Sequence, residues 1–158
     1  IFYIDGSNMI VAVPREGATP LNMNTGKIDN TGIELEASYH INTSWHVSAN
    51  YSFLHMENPV IAAPEHKLYA EGLFTRGRWS VSSGVQYVAG LYTSVPTNGR
   101  GDYLTEDFVL WNMRATFRAA KFLSIWLRGE NLLAQRYEIN AGYPMPRATV
   151  MGGIKFSF

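Results

Sequence analysis

The chain has 158 residues, 46% hydrophobic and 16% charged, with thirteen basic and thirteen acidic side chains and no cysteine. The balanced charge leaves no electrostatic footprint for nucleic acid, and the missing thiols exclude a disulfide framework, a Cys-based zinc site and a thiol nucleophile. A transmembrane helix needs about 18 or more apolar residues in a row, whereas the longest run here is short, around Met9 to Val13.

From the N-terminus, Ile1-Phe2-Tyr3-Ile4-Asp5 lacks the basic and apolar regions of a signal peptide, so Ile1 is not expected to be the natural start of an exported protein. Residues 1–13 alternate weakly, and 14–30, rich in Pro, Gly, Asn and charge, read as a long connection. A clearer stripe follows. Ile33, Leu35, Ala37, Tyr39 and Ile41 alternate with Glu34, Glu36, Ser38 and His40, and a period of two sends the sets to opposite sheet faces. After the turn Asn42-Thr43-Ser44, Trp45, Val47, Ala49, Tyr51 and Phe53 repeat the pattern. A second long connection spans 57–66, a weaker strand 67–76, and Arg76-Gly77-Arg78 turns into Trp79, Val81, Val85, Tyr87 and Ala89. Past a connection at 94–107 come Val109, Trp111, Met113, Ala115 and Phe117. The turn Ala119-Ala120-Lys121 leads to Leu123, Ile125 and Leu127, and the connection 139–147 to a last strand with Val150, Gly152, Ile154, Phe156 and Phe158 on one face.

The expectation is an all-β, antiparallel, up-and-down sheet of roughly eight strands with no helix. Short turns alternate with long connections, so one end of the sheet carries the turns and the other the loops. That asymmetry, and a chain closing on an aromatic residue beside an apolar stripe, fit a transmembrane β-barrel with short periplasmic turns and the C-terminus on the periplasmic side. Trp45, Trp79, Phe117, Phe122 and Phe158 fall near the short turns, with Tyr51, Phe53, Tyr87, Trp111 and Tyr137 further up, as two interfacial girdles would. A soluble β-sandwich or lipocalin-like barrel, stripes packed inward, shares the alternation but not the loop asymmetry.

The polar face supplies lumen candidates: Glu34, Glu36, Glu71, Arg114, Arg118, Arg128, Glu130 and Lys155. Barrel interiors are ordinarily polar, so cross-strand pairing accounts for such residues as readily as a partner does. His40 and His46 flank one turn on the polar face, yet a metal wants three or four ligands and no third is evident; His55 and His66 stand apart. Ligand contact is expected from loops on the rigid scaffold, with Tyr92, Arg100, Asp102 and Tyr103 around one, and Arg15, Met23 and Asn24 around another. No Gly-x-Ser-x-Gly elbow, phosphate-binding loop or His-Glu-x-x-His occurs, and no enzyme, cofactor or metal is expected.

Asn131-Leu132-Leu133-Ala134-Gln135-Arg136-Tyr137-Glu138, then Gly142-Tyr143-Pro144-Met145-Pro146-Arg147 and the terminal strand, resemble the C-terminal signature of TonB-dependent outer-membrane receptors. Asn30-Thr31-Gly32-Ile33-Glu34-Leu35-Glu36 and Ala63-Pro64-Glu65-His66-Lys67 resemble two strand entries of that family, so the likeness runs over about residues 30–158. Pro146 stands where many members have Gly.

The resemblance implies that these strands are the last part of a barrel of about 22 strands, in the outer membrane of a Gram-negative bacterium. The plug and the TonB box lie outside this chain. It also implies import of a scarce nutrient of the ferric siderophore, haem, cobalamin or glycan class, with the plug domain, the TonB complex and outer-membrane lipid as partners. Ile154, Phe156 and Phe158 would be read by the barrel assembly machinery. The alternative is a complete small eight-stranded outer-membrane barrel with a structural or adhesive role.

Overall fold

In a computed structural model, which describes residues 1–15, 18–96 and 101–157, eight strands form one antiparallel sheet. They are β1 (Phe2–Arg15), β2 (Ala18–His40), β3 (Trp45–Met56), β4 (Pro64–Arg76), β5 (Trp79–Ser94), β6 (Leu104–Ala120), β7 (Leu123–Glu130) and β10 (Thr149–Phe156). A small hairpin, β8 (Glu138–Asn140) with β9 (Tyr143–Pro144), interrupts the return from β7 to β10. Each strand pairs with its chain neighbour, β10 pairs with β7, and the order β1-β2-β3-β4-β5-β6-β7-β10 leaves the sheet open among the described residues.

The register turns the alternation into two faces. Along β2 to β4, Leu35 pairs with Tyr51 and Tyr51 with Leu68; Leu68 then meets Tyr87 and Tyr87 meets Val109. Further on, Phe117 pairs with Ile125 and Ile125 with Ile154. This apolar face is open: Leu35 is 62% exposed, Ile154 63% and Trp79 51%. Only five hydrophobic residues are buried among the described ones, far too few to hold a sheet this size in water. The packing does not fit a soluble sandwich, whose stripes would be buried inward.

Aromatic residues mark both borders of that face. Trp45 packs on Phe74 at 4.9 Å and Trp79 on Phe117 at 4.7 Å, both beside the short turns. Higher up, His66 lies 5.0 Å from Phe53, and its Nδ1 is 2.8 Å from the Tyr51 hydroxyl. His66 is thus not an isolated loop residue but a polar anchor in the upper girdle, where amphipathic rings are favoured. Tyr137 departs from the expected girdle: it packs 4.3 Å from Phe108, on the opposite face of β6.

Several expected loops are strand instead. The ladder of β1 and β2 continues to Arg15–Ala18, and because β3 stops at Met56 opposite Asn30, the upper parts of β1 and β2 stand above β3 as a two-stranded finger. Pro14 falls within a register shift between Val13 and Arg15, a position where its missing N–H costs little. The composition of 14–30 looked like a loop because Pro, Gly and Asn recur in it, but Ala18 to Asn30 pair with β1. The 57–66 connection shrinks to 57–63, and it is tied down by the Glu57 N–H donating to the Asp29 carbonyl. The 139–147 connection contains most of the β8–β9 hairpin, whose Ala141 N–H donates to the Thr93 carbonyl of β5.

The buried cluster sits at the upper end on the polar side: Val88, Leu91 and Phe108, with Leu110, Tyr137 and Ile139 against them. It forms where β5 bends at Gly90, whose φ of +62° and register shift turn the strand. The segment 131–147 therefore folds back over the polar face rather than standing free above it.

Candidate functional site

The polar face is a wall of transverse rows. One row runs Ser38, Ser48, Glu71, Gly84 and Asn112; the next towards the short turns runs His40, His46, Leu73, Ser82, Arg114, Arg128 and Met151. All the sequence-predicted wall residues fall on this face, but sign separates them. Glu34, Glu36 and Glu71 lie on β2 and β4, and Arg114, Arg118, Arg128 and Lys155 on β6, β7 and β10. Glu130 is the exception, and it pairs with Arg128 at 2.5 Å.

Arg114 and Arg128 sit directly opposite each other, which alone would be repulsive. Glu130 neutralises one guanidinium, and the other lies over the Trp126 ring at 5.5 Å. Across the wall the Tyr69 hydroxyl donates to Glu71 Oε2, so this carboxylate has a fixed partner. Glu34, Glu36, Asn50, Ser52 and Lys67 line an open groove of about 430 Å³. A furrow of similar size between Ala37, Ala49, Ala70 and Gly72 reflects small side chains and offers little ligand-directed chemistry.

At the loop end, the folded-back segment makes a cleft of about 510 Å³ lined by Glu106, Arg136, Tyr137, Glu138, Met145 and Arg147. Asn131 is its clasp. Its Nδ2 donates to the carbonyls of Gln135 (2.9 Å) and Pro146 (3.1 Å), and its Oδ1 accepts from the Gln135 N–H (3.0 Å). Its own N–H donates to Asn112 Oδ1, and its φ of +47° is one that Asn tolerates better than most residues. The Glu138 N–H donates to Glu106 Oε2 and the Gly142 N–H to Glu138 Oε2, so both carboxylates brace the segment. Arg136 and Arg147 are exposed and make no ion pair among the described residues. The cleft thus offers free guanidinium donors beside an aromatic floor. None of its lining residues was expected as a ligand contact. The 131–147 motif was legible, but its folding back over the wall was not.

Of the predicted loop contacts, two come together. Tyr92 and Tyr103 meet edge to face at 6.0 Å, and the Tyr92 hydroxyl donates to Glu65 Oε1 at 3.1 Å. Tyr92 is in β5 above the Gly90 bend rather than in a loop; burial, then the bond to Glu65, pushes its phenol up from the ordinary value. Asp102 is exposed and takes no part in that cluster. Arg15 belongs to the finger, four strands away in the sheet order, and Met23 and Asn24 are in β2, not in a loop. The side chains of Arg15 and Asn24, and Arg100 and Phe158 altogether, lie outside the described residues.

The His40 and His46 rings are 4.2 Å apart, and His46 Nδ1 is buried without a partner. No group of three metal-ligating side chains occurs among the described residues. No described helix exists to cross a membrane, which says nothing about crossing by strands.

An open sheet of long antiparallel strands with an apolar face, a charged face and a segment folded over the charged face at one end fits a segment of transmembrane β-barrel wall. Residues 1–132 match the family described as TonB dependent receptor-like, beta-barrel, and the chain belongs to that family. The match takes in the β1–β2 finger, which the sequence resemblance had left out, and stops just after Asn131. Comparison with curated proteins gives no match.

Among solved structures, the chain is similar to the copper transporter OprC (TM-score 0.78, 21% identity, 96% of this chain and 27% of that one). It is also similar to the ferric-catecholate import receptor Fiu from E. coli K12 in its open form (TM-score 0.66, 20% identity, 83% and 21%). A third is FpvAI in its complex with pyocin S2 (TM-score 0.68, 19% identity, 84% and 19%). The chain spans only about a fifth to a quarter of the length of these structures, and at such identities the likeness is one of fold.

Proposed function

We propose that this chain is part of the barrel of an outer-membrane receptor that imports a scarce nutrient with energy coupled through TonB. The family match over residues 1–132 carries the reading. The open sheet supports it, since β1 and β10 each leave an edge that further strands of a barrel of about 22 would satisfy. In this reading the chain supplies wall, extracellular finger and the inward-folded mouth, and it transports rather than catalyses. The plug domain would meet the charged wall of Glu34, Glu36, Glu71, Arg114 and Arg128. Ile154 and Phe156, exposed on the last strand, would face the barrel assembly machinery.

Two similar structures carry names that differ in cargo, copper and ferric catecholate, so the choice among ferric siderophore, haem, cobalamin and glycan rests on residues of the mouth. A small, complete, adhesive or structural barrel would need β1 to pair with β10, and it is the weaker reading. The test is deletion of the gene encoding the full receptor in its host, followed by growth on each limiting nutrient. Loss of growth on one source, restored by the intact gene but not by one lacking residues 131–147, supports import. Unchanged growth and uptake on all of them overturns it.

A further inference from the structure

Charge is distributed unevenly from end to end of the sheet. None of the thirteen acidic residues lies in segments 39–46, 72–80, 115–125 or 150–157, which make up the short-turn end, while Arg76, Arg78, Arg118, Lys121 and Lys155 do. The first four are physically linked: the Arg118 N–H donates to the Arg78 carbonyl at 2.8 Å, tying the β4–β5 turn to the end of β6 beside Lys121. All four are exposed, and none has an ion pair or cation–π contact among the described residues.

Three of these cations neighbour aromatic residues at the short turns, Arg76 across the ladder and Arg78 and Lys121 along the chain. Arg76 is directly opposite Trp79, which packs on Phe117 at 4.7 Å, and Lys121 precedes Phe122, which is 53% exposed. Arg78 occupies the turn between Arg76 and Trp79. Long cationic side chains next to interfacial rings place their stems on apolar surface and their charges at headgroup level. Basic side chains at that level attract anionic headgroups.

We propose that this rim, Arg76, Arg78 and Lys121 with Trp79 and Phe122, binds the phosphates of anionic phospholipids in the leaflet at the short-turn end. The inference rests on the reading that the outer face lies in lipid. A free phosphate would satisfy the cations but leave the rings beside them uncovered, whereas a phospholipid supplies both a phosphate and an acyl chain. An acidic protein surface would answer the charge but not the continuity of these rings with the lipid-facing stripe.

The experiment is native mass spectrometry of the full-length receptor released from bilayer nanodiscs of mixed phosphatidylglycerol and phosphatidylcholine. The wild type is compared with Arg76→Gln/Arg78→Gln/Lys121→Gln and with Lys27→Gln at the opposite end, each checked for barrel folding by heat-modifiable gel mobility. The wild type should retain phosphatidylglycerol preferentially, and the triple variant should lose that preference by about fivefold for each cation removed. Lys27→Gln should match the wild type. Equal retention of both lipids, or a preference unchanged in the triple variant, overturns the inference while leaving the receptor reading intact. A triple variant that keeps the preference but loses capture of a periplasmic protein would replace lipid with an acidic partner. A folded receptor that fails to enter the bilayer would sink the membrane reading itself.

Discussion

Replacing Asn131 with Ala should release the folded-back segment without unfolding the barrel. The substitution removes three side-chain hydrogen bonds and leaves the carbonyls of Gln135 and Pro146 without their amide donor, at a residue only 5% exposed. Net hydrogen bonds are worth about 1 kcal/mol each, and Ala held at positive φ costs about 1 kcal/mol more, which partial rehydration offsets. The local cost comes to about 2–4 kcal/mol, a fall of roughly 30- to 1000-fold in exchange protection. Hydrogen exchange on the full-length receptor reads it at four amides: Leu132 (to the Trp111 carbonyl), Gln135, Ala141 (to Thr93) and Met145 (to Tyr137). Asn131→Asp keeps the acceptor but turns a carboxylate oxygen towards two carbonyls, so it should open the segment at least as far. Asn131→Gly loses the same three hydrogen bonds but avoids the positive-φ cost of Ala, so it should fall between wild type and Ala. Unchanged protection at all four amides in the Ala variant would refute the clasp.

The remaining predictions concern wall and mouth. A Cβ at Gly153 would stand 2.8 Å from Trp126 Cζ2, so Gly153→Val should displace the indole from beneath Arg114 and cost about 1–3 kcal/mol in urea unfolding. Gly152→Ala meets only ordinary contacts, the nearest at 3.4 Å, and should be nearly silent. On the outer face the Trp111 Nε1–H donates to Ser83 Oγ at 2.9 Å. Trp111→Phe should cost about 1 kcal/mol, with a double-mutant cycle with Ser83→Ala recovering most of it. Tyr92 lies above the membrane-spanning part, and its folded pKa is raised by burial and by Glu65. Its contribution is therefore complete below the ordinary tyrosine range and lost as pH rises through the folded value. The difference in phenolate absorbance between wild type and Tyr92→Phe should titrate above the ordinary tyrosine range; a difference that titrates within that range refutes the assignment.

Strand existence and facing were legible because a period of two runs through the main strands from Ile33 to Phe156, broken in the ladders only by the register shifts of β5–β6 and of β6–β7 at Arg118/Ala120. Strand length was not legible at 14–30. There, loop-like composition competes with ladder pairing, and only the partner strand reveals that the backbone is satisfied. The wall residues followed from parity alone, and Glu34, Arg114 and Arg128 share one face of the sheet. The mouth did not, since Arg136 and Arg147 enter one cleft only through Asn131, Glu106 and Glu138, bonds between residues as many as 32 positions apart. His66 likewise acquires its role from Tyr51 across the β3–β4 ladder, which no local pattern announces.

The central claim is that alternate positions of each strand face lipid and lumen, the odd ones facing lipid and the even ones the lumen on β6. Because the chain has no cysteine, single cysteines can be placed from Val109 to Phe117 in the full-length receptor in its native membrane. Odd positions should then be quenched by lipid-borne spin labels and resist a water-soluble maleimide, with even positions from Leu110 to Thr116 behaving oppositely. Uniform aqueous labelling along the strand, or alternation of the opposite sense, would contradict the account.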